Sequence, residues 1–213
     1  PDELFEAYTG WWKRRYGLDM SRNDMAYSIG VMPSISSMIR CMTDVGDEIL
    51  IQSPVYHVFY YVIEDNERKV LENELVYENG EYRIDFDDLD EKLSRVGMMI
   101  LCNPQNPVGK IWSKEELGQI GELCKKHDVI LISDEIHCDF VYPGFEHTML
   151  PVLAEEYLDH IIVCTAPSKS FNLAGLQLSN IFIPDDKLRE AFQKELMRIP
   201  YDESGTLALV AGK

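Results

Sequence analysis

Short, largely apolar segments that alternate with helical ones constrain the fold of this chain more than any other feature. Short apolar runs bounded by turn-forming residues are typical of buried strands. Strands separated by helices indicate a mostly parallel sheet covered on both faces, which is a three-layer α/β/α architecture. The sequence predicts strands at 48–52, 69–77, 98–102, 129–132, 161–163 and 179–183. It predicts helices at 2–16, 34–42, 55–63, 85–96, 114–127 and 185–197.

Lys169 lies just past the end of the predicted strand at 161–163, which Pro167 terminates. Burial on such a rigid support would penalise the ammonium form and leave a neutral amine that can form a Schiff base. A lone lysine in a loop is otherwise more often a solvated surface residue. The residue types at the neighbouring strand ends therefore have to show whether Lys169 is a functional or a surface lysine.

Polar side chains follow four predicted strands, at the edge where ligands bind to parallel sheets. They lie at 53–56, 103–109, 133–137 and 168–169. These segments bring together an aromatic ring, an amide, a carboxylate with an imidazole, and a lysine. Each segment also has a purely structural alternative: a core tyrosine or histidine, a rigid double-proline turn, or a carboxylate that caps the next segment. Their shared position favours one binding site.

Metal and nucleotide sites fit these segments less well. The possible metal ligands are Asp134, Glu135, His137, Cys138 and Asp139. The chain has no HExxH motif, however, and neighbouring residues on a strand point to opposite faces, so these five cannot all converge. The lysine segment lacks the GxxxxGK frame, and no GxGxxG follows the first strand. A glycine turn at 28–33 opens a predicted helix and could bind an anion, or it could be a plain connection.

An excess of acidic residues argues against nucleic-acid and membrane partners. The chain has 20 Lys and Arg against 37 Asp and Glu, a formal charge of −17. Such a charge repels a nucleic-acid backbone or an anionic bilayer and suits small-molecule chemistry. No segment approaches the roughly 20 apolar residues of a membrane span, and residues 1–10 show no signal-peptide pattern.

The cysteines and the chain ends give two further expectations. The five cysteines are odd in number and lack a CxxC spacing, so they are interpreted as reduced core residues of a cytoplasmic protein. The chain begins at Pro1 rather than at a methionine, and it stops just after an apolar run at 207–211. We therefore expect it to be a piece of a longer protein.

The segments at the strand ends resemble those of a known enzyme superfamily. The matching stretches are GVMP at 30–33, SPVYH at 53–57, NPQNPVGKIW at 103–112, SDEIH at 133–137 and PSKSFNLAGLQ at 167–177. In this order they are similar to the fold type I pyridoxal-phosphate enzymes, the superfamily of the class I and II aminotransferases. Within it the chain most resembles the bacterial cystathionine β-lyase type of carbon–sulfur lyase.

The resemblance implies a role for each matching residue. Lys169 would hold pyridoxal 5'-phosphate as a Schiff base and later act as the general base at the substrate Cα. Asp134 would pair with the pyridine nitrogen and keep it protonated, Tyr56 would stack on the ring, and Asn106 would bind its phenolic oxygen. The phosphate would be held by the backbone amides of Val31 and Met32 and the hydroxyls of Ser168 and Thr165.

Two departures from the common aminotransferase pattern favour the lyase type. His137 stands where many aminotransferases have a tyrosine, and we count it among the cofactor-binding residues. Gln177 replaces an arginine that contacts the phosphate, so neutral donors would have to suffice. Both departures recur in the lyase-like subgroup, as does Trp112 after the proline turn.

The resemblance also implies a domain organisation and a partner. Residues 1–199 are predicted to form the large cofactor-binding domain, shortened on its N-terminal side, and residues 200–213 to start the connection to a C-terminal small domain. That small domain would supply the arginine for the substrate carboxylate, and a tyrosine from the partner of a homodimer would precede Pro1.

Three functions stay open on the sequence. The first is β-elimination from a sulfur-containing L-amino acid, giving a thiol, pyruvate and ammonia. The second is transamination between an amino acid and a 2-oxo acid with the same residues, since the side-chain pocket rather than the cofactor selects the outcome. The third is a regulatory protein without turnover, against which the retention of Lys169, Asp134 and Asn106 argues.

Overall fold

A seven-stranded sheet forms the centre of the computed structural model, which describes residues 2–152, 155–199 and 206–211. The strands are β1 (Met25–Ser28), β2 (Glu48–Ser53), β3 (Lys69–Glu74), β4 (Val76–Glu78), β5 (Glu81–Arg83), β6 (Met98–Cys102), β7 (Ile130–Asp134), β8 (Ile161–Thr165) and β9 (Ser179–Phe182). The sheet order is β1-β9-β8-β7-β6-β2-β3, and β4 and β5 form a separate hairpin. In this sheet the adjacent strands β3, β2, β6, β7 and β8 are parallel to one another, and β9 runs antiparallel to both β8 and β1. The predicted mostly parallel sheet is confirmed.

Helices cover both faces of this sheet. They are α1 (Asp2–Tyr16), α2 (Val31–Met42), α3 (Val58–Glu64), α4 (Phe86–Leu93), α5 (Lys114–Lys126), α6 (Pro167–Ser170), α7 (Asp186–Met197) and α8 (Thr206–Ala211). Apolar side chains of α1, α4 and α5 pack on one face, and those of α2, α3 and α7 pack on the other. The three-layer α/β/α architecture is therefore confirmed.

The central strands are buried on both faces, and their alternating side chains build two separate cores. Along β6, Met99 and Leu101 belong to the core under α5, whereas Met98, Ile100 and Cys102 belong to the core under α2. Because successive side chains of a strand point to opposite faces, an apolar run of this kind needs cover on both sides. This is why the sequence predicted β6 with its correct bounds.

Several predicted elements have different bounds in the structure, and two of them differ for a clear reason. The helix predicted from residue 55 begins at Val58, because the segment after β2 first makes a turn. The strand predicted over 69–77 ends at Glu74, and its last residues leave the main sheet for the β4–β5 hairpin around Asn79 and Gly80. Both of these turn residues have positive φ, of 52° and 86°, which fits the predicted Asn-Gly turn.

Three further corrections concern elements that end or begin at the carboxyl edge of the sheet. Strand β1 was not predicted, since its four residues acquire strand structure by pairing with the distant β9. Helix α2 begins at Val31, so Pro33 is the third helical residue rather than the first. Pro167 does not simply end a strand, because it also opens the single helical turn α6, which carries Lys169.

Membrane spans, cysteines and domain limits were also predicted from the sequence. In the described ranges, no helix is both long and apolar enough to cross a membrane. All five cysteines are free, and four of them are buried. The predicted limit at residue 199 stays a prediction: of residues 200–213, only the α8 segment is described, and the others lie outside the described residues.

Two glycines of α5 offer a matched test of the packing between this helix and the segment at 155–160. A Cβ atom at Gly121 would lie 2.9 Å from Tyr157 Cδ2, whereas a Cβ atom at Gly118 would meet no atom within 4 Å. We expect Gly118→Ala to raise the free energy of unfolding by about 0.5–1 kcal/mol through helix propensity. Gly121→Ala should lower it by about 1–3 kcal/mol through overpacking. Urea unfolding of both variants measures the two changes, and equal effects would contradict the packing described.

Candidate functional site

Several strands end at one edge of the sheet, and their ends surround a cavity of about 300 Å³. Asp134 at the end of β7 pairs in register with Cys102 of β6 on one side and with Cys164 of β8 on the other. Helix α2 begins at the same edge, directly after β1. The cavity is lined by Ile29, Gly30, Val31, Met32, Pro33, Tyr56, Cys102, Asn106, Asp134, Ile136, His137, Ala166, Ser168, Lys169, Ala174, Gln177 and Leu178.

The structure brings together eight of the nine predicted cofactor-binding residues. Val31, Met32, Tyr56, Asn106, Asp134, His137, Ser168 and Lys169 all line this cavity. Thr165 is the exception, because it lines a neighbouring cavity of about 330 Å³ on the other side of α6. Its Oγ1 donates a hydrogen bond to the carbonyl oxygen of Asn180 at 3.4 Å. The predicted contact between Thr165 and a phosphate therefore has less support than the other eight.

Asp134 is a carboxylate held in an apolar environment. It is 4% exposed, and its Oδ1 accepts a hydrogen bond from the backbone N–H of Ile136 at 3.1 Å. Burial, and to a lesser degree the charge of Glu135, raise the pKa of Asp134 to about 7, although the Ile136 hydrogen bond and the charge of Lys169 oppose the change. In the described part of the chain, no cationic side chain forms an ion pair with it within 4 Å. A protonated ligand nitrogen at this carboxylate would offset the cost of its burial.

Glu135 follows Asp134 in sequence but faces a different set of partners. Its Oε1 accepts hydrogen bonds from Ser133 Oγ at 2.9 Å and from the backbone N–H of Leu150 at 3.0 Å. Its Oε2 lies 2.8 Å from His147 Nε2, and both side chains are almost completely buried. Glu135 does not line the cavity, so the structure separates the two carboxylates that a metal site would have needed together.

The single turn α6 presents Lys169 to the cavity. The turn is closed by a hydrogen bond from Phe171 N–H to the carbonyl of Pro167 at 2.9 Å. It is also tied to α1, since Asp139 accepts hydrogen bonds from Ser170 Oγ at 2.5 Å and from Tyr16 Oη at 2.6 Å. These contacts fix the backbone on which Lys169 stands.

The prediction that Lys169 is withdrawn from water is wrong for this chain. Lys169 is exposed, although it lines the cavity. Burial therefore does not explain how its amine would become nucleophilic. What the structure shows is a fixed position: a lysine on a short helical turn that lines the same cavity as Asp134.

His137 faces the same cavity as a half-buried imidazole. Burial lowers the pKa of His137, and the positive charge of Lys169 lowers it further. Since the ordinary pKa of histidine is about 6.5, His137 is neutral at pH 7. It can serve there as an uncharged hydrogen-bonding group.

The N-terminus of α2 provides an anion-binding end to the cavity. Val31 and Met32 occupy the first two positions of this twelve-residue helix, and their N–H groups have no partner within the helix. The helix dipole places partial positive charge at the same point. A Cβ atom at Gly30 would lie 3.3 Å from Pro33 Cδ, so a side chain there would crowd the first turn of the helix. Ser168 lines the same cavity from α6.

Tyr56 and Asn106 reach the cavity from the turns that follow β2 and β6. The Tyr56 ring packs edge-on against Phe59, with ring centroids 5.9 Å apart. The N–H of Asn106 donates to Cys102 Sγ at 3.4 Å, and this thiol donates in turn to the carbonyl of Pro104 at 3.2 Å.

Sequence reasoning missed part of the cavity wall. Cys102 directly precedes the predicted segment 103–109, and Ile136 lies within the predicted segment 133–137 but was not assigned a role there. Leu178 precedes β9 and carries no such signal. Gln177, known from the sequence only as a departure, lines the cavity in the left-handed conformation with φ 52°.

Together these groups suit a planar ligand with a different chemical group at each end. The buried carboxylate of Asp134 favours a protonated ring nitrogen, and the amides at the start of α2 favour an anion such as a phosphate. Lys169 supplies an amine to the same cavity. The residues present therefore fit pyridoxal phosphate, the cofactor implied by the sequence resemblance.

Comparison with known proteins gives a family match over nearly the whole chain. The family model described as aminotransferase class I and II matches residues 1–212. Cystathionine beta-lyase PatB of Bacillus subtilis strain 168 is 43% identical over 195 residues, which cover 91% of this chain and 50% of PatB. The chain spans about half the length of the curated relatives it matches.

The chain is also similar to solved structures of proteins that contain pyridoxal phosphate. Cystalysin from Treponema denticola, which contains a pyridoxal 5'-phosphate cofactor, has a TM-score of 0.96 and 37% identity, covering 99% of this chain and 54% of cystalysin. The PLP-bound C-S lyase from Staphylococcus hominis has a TM-score of 0.93 and 34% identity, covering 100% of this chain and 54% of the lyase.

The buried carboxyl of Asp134 gives a testable pH dependence. Its pKa in the folded chain, about 7, lies above its ordinary value of 3.8. Between these values the folded chain binds a proton that the unfolded chain has lost, so this group makes the wild type less stable as the pH rises.

The variant Asp134→Asn removes this effect of pH on stability. We expect its stability relative to the wild type to rise by about 2–3 kcal/mol between about pH 5 and about pH 8. Urea unfolding across this range measures the difference, and parallel profiles would contradict the prediction.

Proposed function

The chain belongs to the class I and II aminotransferase family, and on that premise we propose that it forms the cofactor-binding part of a pyridoxal-phosphate-dependent carbon–sulfur β-lyase. The proposed substrates are cystathionine-like or cysteine-conjugate L-amino acids. Residues 1–199 would form the large domain, with the connection to a small domain starting at residue 200. The proposed reaction cleaves the bond between Cβ and sulfur and yields a thiol, pyruvate and ammonia.

The observation that carries this proposal is the buried carboxylate of Asp134 at the end of β7. Pyridoxal phosphate supplies an electron-withdrawing ring that stabilises negative charge at the substrate Cα when its nitrogen is protonated. Asp134 would hold that proton on the ring nitrogen, because an ionised carboxylate in an apolar cavity strongly favours a cationic partner. The ion pair would also relieve the cost of burying Asp134 alone.

Lys169 would act twice in the proposed reaction. Its amine would first bind the cofactor covalently. Once the substrate amine takes its place, the free and neutral amine of Lys169 would accept the proton from Cα as general base. Its position on α6, which Asp139 ties to α1, keeps the amine at the cavity throughout.

The remaining residues of the cavity would orient the ring. Tyr56 would stack on its face, Asn106 would hydrogen-bond its phenolic oxygen, and neutral His137 would add a polar contact without charge. The phosphate would be bound by the first N–H groups of α2, at Val31 and Met32, and by the hydroxyl of Ser168, whereas Thr165 would contribute only if its hydroxyl turned away from the carbonyl of Asn180. These donors would substitute for the arginine whose place Gln177 takes.

The choice of a lyase rests on His137, Gln177 and the named relatives. PatB and the Staphylococcus hominis protein are a cystathionine beta-lyase and a C-S lyase by name. Transamination would use the same Lys169 and Asp134 but would return the Cα proton to the cofactor's aldehyde carbon instead of expelling a thiolate. The family description favours this second function. A homodimer and a cytoplasmic location complete the proposal.

Cofactor binding can be tested by mixing the chain with pyridoxal phosphate and recording the visible absorbance before and after borohydride reduction. We expect an absorption band that reduction fixes onto Lys169, as identified by peptide mass spectrometry. Lys169→Ala should abolish the fixed label. Lys110→Ala removes a lysine from the turn after β6 that does not line the cavity, and it should leave the label intact. Absence of the band both from this chain and from the whole enzyme of which it forms part would contradict the cofactor assignment.

The reaction type can be tested on the whole enzyme of which this chain forms part. We expect release of pyruvate from cystathionine in the absence of any 2-oxo acid, and at least about a thousandfold loss of rate in Lys169→Ala, as expected when a general base is removed. Formation of glutamate from 2-oxoglutarate without pyruvate release would instead establish an aminotransferase. If Lys169→Ala lost only the binding of a protein partner and showed no change in catalysis, the regulatory alternative would be established.

A further inference from the structure

Gln105 lies between the two prolines of the turn at 103–109 and points away from the cavity wall into the protein. It is 1% exposed, and its Nε2 donates hydrogen bonds to the carbonyl oxygens of Gln52 at 2.8 Å and Pro54 at 2.9 Å. Both acceptors flank Ser53, at the point where β2 ends. One side-chain amide thus joins the turn after β6 to the turn after β2.

We propose that Gln105 is a positioning residue that sets the separation of Asn106 and Tyr56 across the cofactor ring. The inference rests on the proposed function, which gives these two neighbours their roles. Asn106 is the residue next to Gln105, and Tyr56 lies two residues after Pro54. Gln105 touches neither the ring nor the substrate, so it acts through the two turns that it connects.

The orientation of the Gln105 amide follows from its surroundings. Both N–H groups are used, and Oε1 has no hydrogen-bond partner among the described residues. Rotating the amide by half a turn would place its oxygen against two carbonyl oxygens, which repel it. The observed orientation is therefore the favourable one. Removing the amide would leave the buried carbonyls of Gln52 and Pro54 without these donors.

Among the described residues, no other hydrogen bond joins one turn to the other. The Gln105 backbone N–H donates to the carbonyl of Lys110 at 2.8 Å, and the Gly109 N–H donates to the carbonyl of Gln105 at 2.8 Å. On the other turn, the N–H of Phe59 donates to the carbonyl of Tyr56 at 3.0 Å. Losing the Gln105 side-chain bonds should therefore loosen the relative position of the turns and leave each turn formed.

The test compares Gln105→Met with a matched control. Methionine keeps a similar volume and flexibility but donates no hydrogen bonds. Asn66→Leu serves as the control, because Asn66 Nδ2 also donates two hydrogen bonds, to Ser36 Oγ at 3.0 Å and to the carbonyl of Val62 at 2.6 Å. Asn66 precedes β3 and so lies at the opposite edge of the sheet from the cavity.

Hydrogen–deuterium exchange of the cofactor-free chain is the first measurement. We expect faster exchange in Gln105→Met at both turns, in peptides covering 53–59 and 103–110, and wild-type exchange there in Asn66→Leu. Unchanged exchange in Gln105→Met would overturn the proposal. Equal acceleration in both variants would also overturn it, because the effect would then be a general loss of stability.

Titration with pyridoxal phosphate is the second measurement. We expect Gln105→Met to bind the cofactor about tenfold more weakly, the equivalent of one net hydrogen bond, and with a weaker visible circular dichroism signal, because the ring is less fixed. Faster exchange with wild-type affinity and dichroism would overturn the positioning role but leave the proposed function standing. If neither the wild-type chain nor the whole enzyme bound the cofactor, the proposed function would be refuted, and the exchange result alone would then decide whether Gln105 fixes the two turns.

Discussion

The burial of one carboxylate at the end of a central strand is the constraint on which the candidate site depends. Asp134 has parallel strands on both sides, β6 and β8, and helices cover both faces of the sheet, so solvent cannot stabilise its charge. A carboxylate in that position either takes up a proton or pairs with a cation. Its burial raises the pKa of Asp134. The start of α2, which lines the same cavity, favours an anion instead.

The cavity is fixed less by the sheet than by side chains that connect the segments leaving it. The sheet brings the strand ends to one edge and places Asp134 there, but the other functional side chains that line the cavity sit three or four residues beyond their strands. There, Asp139 links α6 to α1, and Gln105 links the two turns that carry Tyr56 and Asn106. Hydrogen bonds in a protected environment hold geometry well because losing one leaves a buried group unpaired. Precise positions on irregular backbone therefore depend on these few buried bonds.

Elements with a local sequence signal were predictable, whereas elements that depend on distant partners were missed. Strand β6 and the capping box of α5, from Ser113 to Glu116, were readable because apolar runs and caps are local signals. Strand β1 was not, since its pairing with β9 joins residues about 150 positions apart. The exposure of Lys169 depends on where α6 lies relative to the cavity, and the bonds of Gln105 depend on a turn about fifty residues away. Neither leaves a trace in local sequence.

The cavity holds one ionisable group for each of two tasks in the proposed reaction. Among the described residues that line it, Asp134 and Lys169 are the side chains that can carry a charge near pH 7, since the pKa of His137 is lowered and Gln177 stands in place of an arginine. In the proposed function one of them would serve the ring nitrogen and the other the proton at Cα, so both would be committed to the chemistry. An amino-acid substrate would also bring a carboxylate, and a cation placed inside this cavity to bind it would instead be attracted to Asp134. Binding that carboxylate from a separate structural element would leave Asp134 available for the ring nitrogen, which agrees with the small-domain arginine that the sequence resemblance implies.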